Sequence, residues 1–316
     1  MHFKEKGLFR CEKNPLITPA DYPGAAAVFN CGQTMYKGQT ILLCAIVPYN
    51  GGSPFIHVAR SDDGINFKFD EKPFIMQSKL PHIKELDYWP IDPRVTYFPE
   101  EDVYYIMRPG NSDAGCVAFL GKTHDFVTYE DIDVIALPNN RVPSLFPEKI
   151  NEMYYRLDRP YVFVSDPHNI NQRAFIWVSE SPDLIHWGRH RVLLKPWANW
   201  NAIKIGPTPP IKTDEGWLEI IHGVTGSCSG QRYSLGAILL DLNDPTNVIG
   251  RCDEPILCPD REYECAGKAP NVVFACGAIA DLDQDRLRVY YGAADTSICL
   301  ATGSISDIIA MCKNGR

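Results

Sequence analysis

Of the 316 residues, 45% are hydrophobic and 22% charged, a balance that excludes a disordered chain and allows a sizeable buried core. A formal net charge of −8 offers no basic face for nucleic acid, and the longest apolar run, ILLCAIVPY, is far too short to span a bilayer. Neither nucleic acid nor membrane is expected as a partner, and an anion would have to be held by a focused cluster of cations.

The amino-terminal stretch MHFKEKGLFRCEKNP has neither the apolar core nor the small-residue cleavage site of a signal peptide, which points to the cytoplasm. After it, almost no stretch sustains helical apolar spacing. Short β-branched and aromatic runs are instead broken by Asp, Gly, Asn and Pro. The runs repeat as an apolar strand, a loop, a second apolar strand and a turn containing Ser or Asp. TILLCAIV (40–47) is followed by FIHVARSDDGINF, and VYYIMRP (103–109) by CVAFLGKTHDFVTY. MYYRLDRP (153–160) precedes AFIWVSESPDLIHW, WLEIIHGV (217–224) precedes SLGAILLDLNDPTNV, and LRVYYGAAD (287–295) precedes SICLATGSISDII. Five such units predict an all-β fold, a five-bladed β-propeller in one domain spanning 1–316, because each small sheet needs neighbours to cover its faces. Two stacked sandwich domains are the alternative.

Strands near a propeller axis carry their ends toward a central channel, so polar residues ending the first strand of several units should converge there. Those ends hold Arg159, His222 and Asp295, and Asp92 in IDPR stands just before the second unit. Pro93 is expected to bias Asp92 to an extended conformation that aims its carboxylate into the channel. Any one of these could be a turn or edge residue; four together are harder to dismiss. The eleven cysteines are scattered, several inside strand-like runs, which reads as buried thiols in a reducing compartment. Cys252, Cys258 and Cys265 lack paired metal-ligand spacing, so no metal is expected.

Over nearly its whole length the chain resembles the inverting β-mannoside phosphorylases of glycoside hydrolase family 130. The matching segments, in order, are NPLITP, FNCG, IDPR, NNRVPSLFPEKI with RLDRP, SESPDLIHWGRHRVLL, KIGPTPPIKTDEGWLEIIHGV, RYSLGAILLDLNDP, REYECAGKAPNVVFACGA and YYGAADTSICLA. The resemblance implies that Asp92 is the catalytic acid and Arg94 a substrate contact. It implies that Arg141, Arg159 and Lys204 hold inorganic phosphate, with His222 and Tyr233 completing that pocket. Asp295 would bind the mannosyl unit, with Asn30 at the same subsite, and the acid would pass its proton through the mannosyl 3-hydroxyl.

Phosphate is the co-substrate in such a reaction, no organic cofactor is implied, and α-D-mannose 1-phosphate would be the product. An inverting phosphorylase needs one acid and an anion site, because phosphate is itself the nucleophile and no second carboxylate has to activate water. Guanidinium groups bind phosphate oxygens in bidentate fashion and a lysine adds a point charge.

Trp187 and Trp217 read as packing between blades, whereas Trp197 and Trp200 in KPWANWN are candidates for an acceptor-sugar platform. Many members of the family carry an arginine where this chain reads LLCAIV, and KIGPTPP is one residue shorter than the KIGAGAPP form. NNRVPS and KIGP lean toward β-1,2-linked mannosides, while SCSG before RYSLG is similar to sequences acting on β-1,4 linkages. Linkage stays open, with a preference for β-1,2. The competing classes are a β-mannoside hydrolase, a mannosyltransferase using a nucleotide sugar, and a noncatalytic glycan-binding propeller. The sequence is compatible with a homo-oligomer without specifying one.

Overall fold

A computed structural model describes residues 6–166, 169–227 and 230–315. The first five residues of the amino-terminal stretch, and Cys228 and Ser229 of SCSG, lie outside the described residues.

Five antiparallel blades form a ring, and a parallel pairing of Ala174 in Asn169–Ala174 with Lys204 joins blades 3 and 4 into one ten-stranded sheet. Blade 1 contains Ala25–Tyr36, Gln39–Pro48, Phe55–Ser61 and Lys68–Phe69, and blade 2 contains Arg94–Phe98, Val103–Ser112, Gly115–Thr123 and Glu130–Ala136. Blade 3 is Asn140–Leu145, Tyr154–Asp166, Ile176–Ser181 and Gly188–Leu194. In blade 4 the short pieces Lys204–Gly206 and Ile211–Thr213 both pair with Gly216–Ser227, followed by Gly230–Leu240 and Val248–Arg251. In blade 5, Val273–Ala275 and Ile279–Asp281 both pair with Arg286–Ala293, and Ser297–Ser304 follows. The amino-terminal strand Phe9–Arg10 pairs with Ser297–Ser304, so the two ends of the chain close the ring in one blade.

Side chains alternate across each strand, and the five apolar clusters between blades follow from that alternation. Ile41 and Leu43 pack toward blade 2 with Val95 and Ile106, while Leu42, Cys44 and Ile46 pack toward blade 5 with Tyr290 and Ile298. Phe98, Met107 and Leu120 meet Leu145 and Tyr154 between blades 2 and 3. Leu157 and Ile176 meet Trp217 and Ile221 between blades 3 and 4, and Leu218 and Leu239 meet Val273 and Val289 between blades 4 and 5. Each blade is therefore buried on both faces, as a ring requires. The closing helix Ile305–Asn314, capped by Ser304 Oγ accepting from the Asp307 amide at 3.0 Å, adds Ile308, Ile309 and Cys312 to the last of these cores.

The sequence units start one strand late. What they take as the first strand is the second in each blade; the innermost strands were missed because those of blades 2 to 5 are short or split and Ala25–Tyr36 of blade 1 is bulged. Pro207, Pro209 and Pro210 have no N–H to donate and split the innermost strand of blade 4, and Cys276–Ala278 separates the pieces in blade 5. At the other edge the repeat is plain. Asp63 Oδ1 accepts from the amides of Ile65 and Asn66, Asp125 Oδ1 from those of Val127 and Thr128, and Asp183 Oδ1 from those of Ile185 and His186. Ser61, Thr123 and Ser181 donate to the same three carboxylates, at 2.8, 3.3 and 3.2 Å. The Ser/Thr-x-Asp turn is thus one local structure used three times.

Candidate active site

A cavity of about 270 Å3 opens at the axis, walled by Asn30, Asp92, Arg141, Arg159, Tyr161, Tyr233 and Asp295 together with apolar groups that include Phe29, Ile91 and Phe274. Its polar residues come from all five blades: Asn30 and Arg141 at irregularities in innermost strands, Asp92 just before one, Arg159 and Tyr161 from a second strand, Tyr233 from a third, and Asp295 just after a second. A bulge between Phe29 and Gly32 brackets Asn30, whose φ is +43°, and one between Arg141 and Ser144 brackets Val142, at φ +55°. Bulges re-aim side chains that a regular ladder would hold to one face.

Asp92 has φ +50°, in the left-handed region, so the extended conformation expected from Pro93 is not adopted. Two contacts hold the carboxylate and its backbone in place. Asn30 Nδ2 donates to Asp92 Oδ1 at 2.8 Å, and the fully buried Arg94 guanidinium donates to the Asp92 carbonyl oxygen at 2.6 Å. Arg94 lies over the Phe274 ring, 5.7 Å from its centroid, behind the cavity wall. The segment leading to Asp92 is itself anchored, since the buried Arg108 donates to both carboxylate oxygens of Asp87 at 2.6 and 2.7 Å.

Asp295, also at positive φ, occupies the same side of the cavity. Its pKa is pushed up to about 7, by burial first and by the Asp92 charge second, with Asn30 opposing. Gly292 leaves the room Asn30 needs, because a Cβ there would lie 2.1 Å from Asn30 Oδ1.

The opposite side, from blades 3 and 4, is cationic. Arg141 Nη2 donates to Asn111 Oδ1 at 2.7 Å, and Arg159 donates from Nη1 to His222 Nε2 at 2.5 Å and from Nη2 to Tyr161 Oη at 3.1 Å. Lys204 Nζ sits 4.9 Å from the Tyr233 ring centroid and 5.9 Å from that of Tyr161. Among the described residues none of these three cations has a carboxylate partner, and Arg159 Nε is buried with no partner at all. Burial, then Arg159 and Arg141, push the Lys204 pKa down to about 7. His222 is fully buried, and burial with Arg159, Arg94 and Lys204 around it drives its pKa far down, so the neutral ring accepts the Arg159 bond. Gly206 permits that contact, because a Cβ would lie 2.3 Å from His222 Cε1 and 3.0 Å from Arg159 Nη1. Burial lifts the Tyr233 phenol to about 12, so it remains protonated.

The structure brings Asp92, Asn30, Asp295, Arg141, Arg159 and Tyr233 to the cavity surface, with Lys204 and His222 close behind and Arg94 in support. Tyr161, just beyond RLDRP, was missed; its aromatic ring contacts both Arg159 and Lys204. Trp197 and Trp200 do not form an acceptor platform. They pack edge-to-face at 5.6 Å, their indole N–H groups donate to the carbonyls of Cys252 and Asp253, and Trp200 lies against Gly223 and Gly236. Aromatic groups near the cavity come instead from Tyr88 and Trp89, which line an adjoining cavity of about 480 Å3 sharing Trp89, Ile91 and Arg141 with the first. Trp217 is fully buried against Phe146 at 5.2 Å, and Trp187 stacks on Arg156 at 4.2 Å, both as packing residues. Among the described residues no three His, Cys, Asp or Glu side chains group as a metal site, and no helix is long and apolar enough to cross a membrane.

Comparison with known proteins gives this geometry a family. The chain is 32% identical over 312 residues to a β-1,4-mannooligosaccharide phosphorylase of Ruminococcus albus, covering 97% of this chain and 91% of that protein. It is 38% identical over 256 residues to a 1,2-β-oligomannan phosphorylase of Thermoanaerobacter sp., covering 79% and 78%. A solved structure of β-1,2-mannobiose phosphorylase from Listeria innocua, in complex with β-1,2-mannobiose, superposes with a TM-score of 0.84 at 33% identity, covering 97% of this chain and 99% of that one. The family model described as β-1,4-mannooligosaccharide phosphorylase matches residues 11–314, and the chain belongs to that family, glycoside hydrolase family 130.

Proposed function

We propose that this protein cleaves β-mannosides with inorganic phosphate, inverting the anomeric centre to release α-D-mannose 1-phosphate. One observation carries the reading: Arg141 and Arg159, with Lys204 close behind them and none of the three paired to a carboxylate among the described residues, share one small cavity with the carboxyl pair Asp92 and Asp295. A phosphate oxygen held by Arg141, Arg159 and Lys204 attacks the anomeric carbon as the glycosidic bond breaks on the other side. Asp92 supplies the proton that reaches the leaving oxygen, relayed through the mannosyl 3-hydroxyl. Asp295 and Asn30 hold the mannosyl hydroxyls, and Arg94 fixes the Asp92 backbone. A hydrolase would require a carboxylate to activate water opposite the acid; both cavity carboxyls here lie on one side and the opposite side is cationic. The reverse reaction extends acceptors with mannose 1-phosphate.

The acceptor sugar sits against Trp89 and Tyr88 in the adjoining cavity. The preferred linkage is β-1,2, supported by the 38% identity to the Thermoanaerobacter 1,2-β-oligomannan phosphorylase and by the Listeria innocua structure. A cytoplasmic location is supported by ten described cysteines, all free. The test is incubation with β-1,2- and β-1,4-mannobiose, with and without phosphate. Phosphate-dependent sugar phosphate from the β-1,2 compound supports the reading, turnover confined to the β-1,4 compound reverses the linkage, and mannose release indifferent to phosphate sinks it.

A further inference from the structure

Arg141 and Arg159 lie opposite each other in the ladder of blade 3, and so do their neighbours Asn140 and Pro160. Because side chains alternate across a strand, the same two strands face the catalytic cavity with one set of residues and a second cavity with the other. That second cavity, about 630 Å3, opens at the seam between blades 2 and 3. It falls within the roughly 300–1,000 Å3 of small-molecule sites. Asn140, Asp158 and Pro160 form its shared wall, and Trp177, His190 and Ala136 line it elsewhere.

Three of its polar atoms are buried without a partner among the described residues: Asn140 Oδ1, Asp158 Oδ1 and Trp177 Nε1. Asn140 is 8% exposed and Asp158 2%. The wall therefore offers two acceptors and one donor beside the indole of Trp177, which is the cross-strand neighbour of Asp158. Buried polar atoms of this kind are costly unless something bonds them. The local charge is already balanced, since Arg156 donates to Asp158 Oδ2 at 2.9 Å and to the Ile135 carbonyl at 2.9 Å. An uncharged ligand that both donates and accepts and presents C–H faces to an aromatic ring fits this wall; an anion does not.

We infer that this cavity is a second binding site for a neutral oligosaccharide, back to back with the phosphate-binding arginines, and that its ligand is a manno-oligosaccharide. The choice of sugar rests on the proposed function. The occupant would satisfy Asn140, Asp158 and Trp177 and would bear on the strand pair that carries Arg141 and Arg159.

The test is calorimetric titration of β-1,2-mannotetraose into the full-length Asp92→Asn protein, and into the same protein carrying Ala136→Phe or Trp177→Phe. Ala136→Phe fills the cavity and is expected to remove one binding equivalent per chain. Trp177→Phe keeps the ring, removes the N–H and is expected to weaken that equivalent by roughly tenfold. An unchanged stoichiometry with Ala136→Phe overturns the inference. Where that variant does not fold, an unchanged affinity with Trp177→Phe does so. Phosphorolysis by the wild type is measured in parallel. Turnover with a stoichiometry insensitive to Ala136→Phe defeats the second site alone, and absence of turnover defeats the proposed function while the titration still decides the cavity.

Discussion

The outer turns and the innermost strands of this propeller are built on opposite principles. The Ser/Thr-x-Asp turns that follow the third strands of blades 1, 2 and 3 repeat one hydrogen-bond pattern, with each Asp accepting from two backbone amides. The innermost strands share no such pattern: two are bulged, two are split, and Asp92 precedes the fifth at positive φ. Regularity at the rim sets the frame, and irregularity at the axis accompanies the inward placement of Asn30, Asp92 and Arg141. Substitutions at the axis should therefore act on catalysis and those at the rim on stability.

The largest effect is expected for Asp92→Asn, which keeps the Asn30 and Arg94 contacts within reach but removes the proton; phosphorolysis should fall by about 10^3-fold with the circular dichroism spectrum unchanged. Next, Arg159→Ala removes the proposed charge-assisted phosphate contact and strips His222 of its partner. Initial rates over a phosphate series should show kcat/KM for phosphate reduced by about 100-fold. Gly206→Ala would drive His222 and Arg159 apart without touching a charge, and should raise KM for phosphate by about tenfold, with a thermal-stability loss of about 1–3 kcal/mol.

Lys204 adds a pH signature. Its pKa is lowered to about 7, so the ammonium is present below that pH and is lost as pH rises through it. KM for phosphate should climb above pH 7 in the wild type, and Lys204→Arg, charged throughout, should flatten that limb. The smallest kinetic effect belongs to the rim: Asp183→Ala, which frees the amides of Ile185 and His186, should lower Tm while leaving kcat/KM where it was. A catalytic loss from Asp183→Ala, or a purely thermal one from Arg159→Ala, would break the division between axis and rim.

The same division explains what could be read in the sequence. Long apolar second and third strands and their Asp turns are periodic, so the blade count was legible from TILLCAIV onward. The innermost strands, some only three residues long and interrupted by Pro or Gly, carry no period, and the units were read one strand late. Asp92, Arg159, His222 and Asp295 were found because the repeated units end near them, although Arg159 and His222 lie inside Tyr154–Asp166 and Gly216–Ser227 and not at strand ends as expected, and Arg141, Lys204, Tyr233, Asn30 and Arg94 were found through the family resemblance. Tyr161 was not found, since an aromatic residue after RLDRP looks like any strand residue. Trp197 and Trp200 misled for the complementary reason: a polar-looking loop hid that Gly223 and Gly236 open a slot for Trp200. Tyr88 and Trp89 stand in the same stretch as Asp92, with no periodicity that marks them as cavity residues.

The central claim is that nucleophile and acid stand on opposite sides of one cavity. It is tested most directly by following the first turnovers of β-1,2-mannobiose in phosphate buffer by proton and phosphorus magnetic resonance. The account predicts α-D-mannose 1-phosphate as the initial sugar product, formed in step with phosphate consumption. β-Configured sugar phosphate, or free mannose appearing while phosphate stays constant, would contradict it.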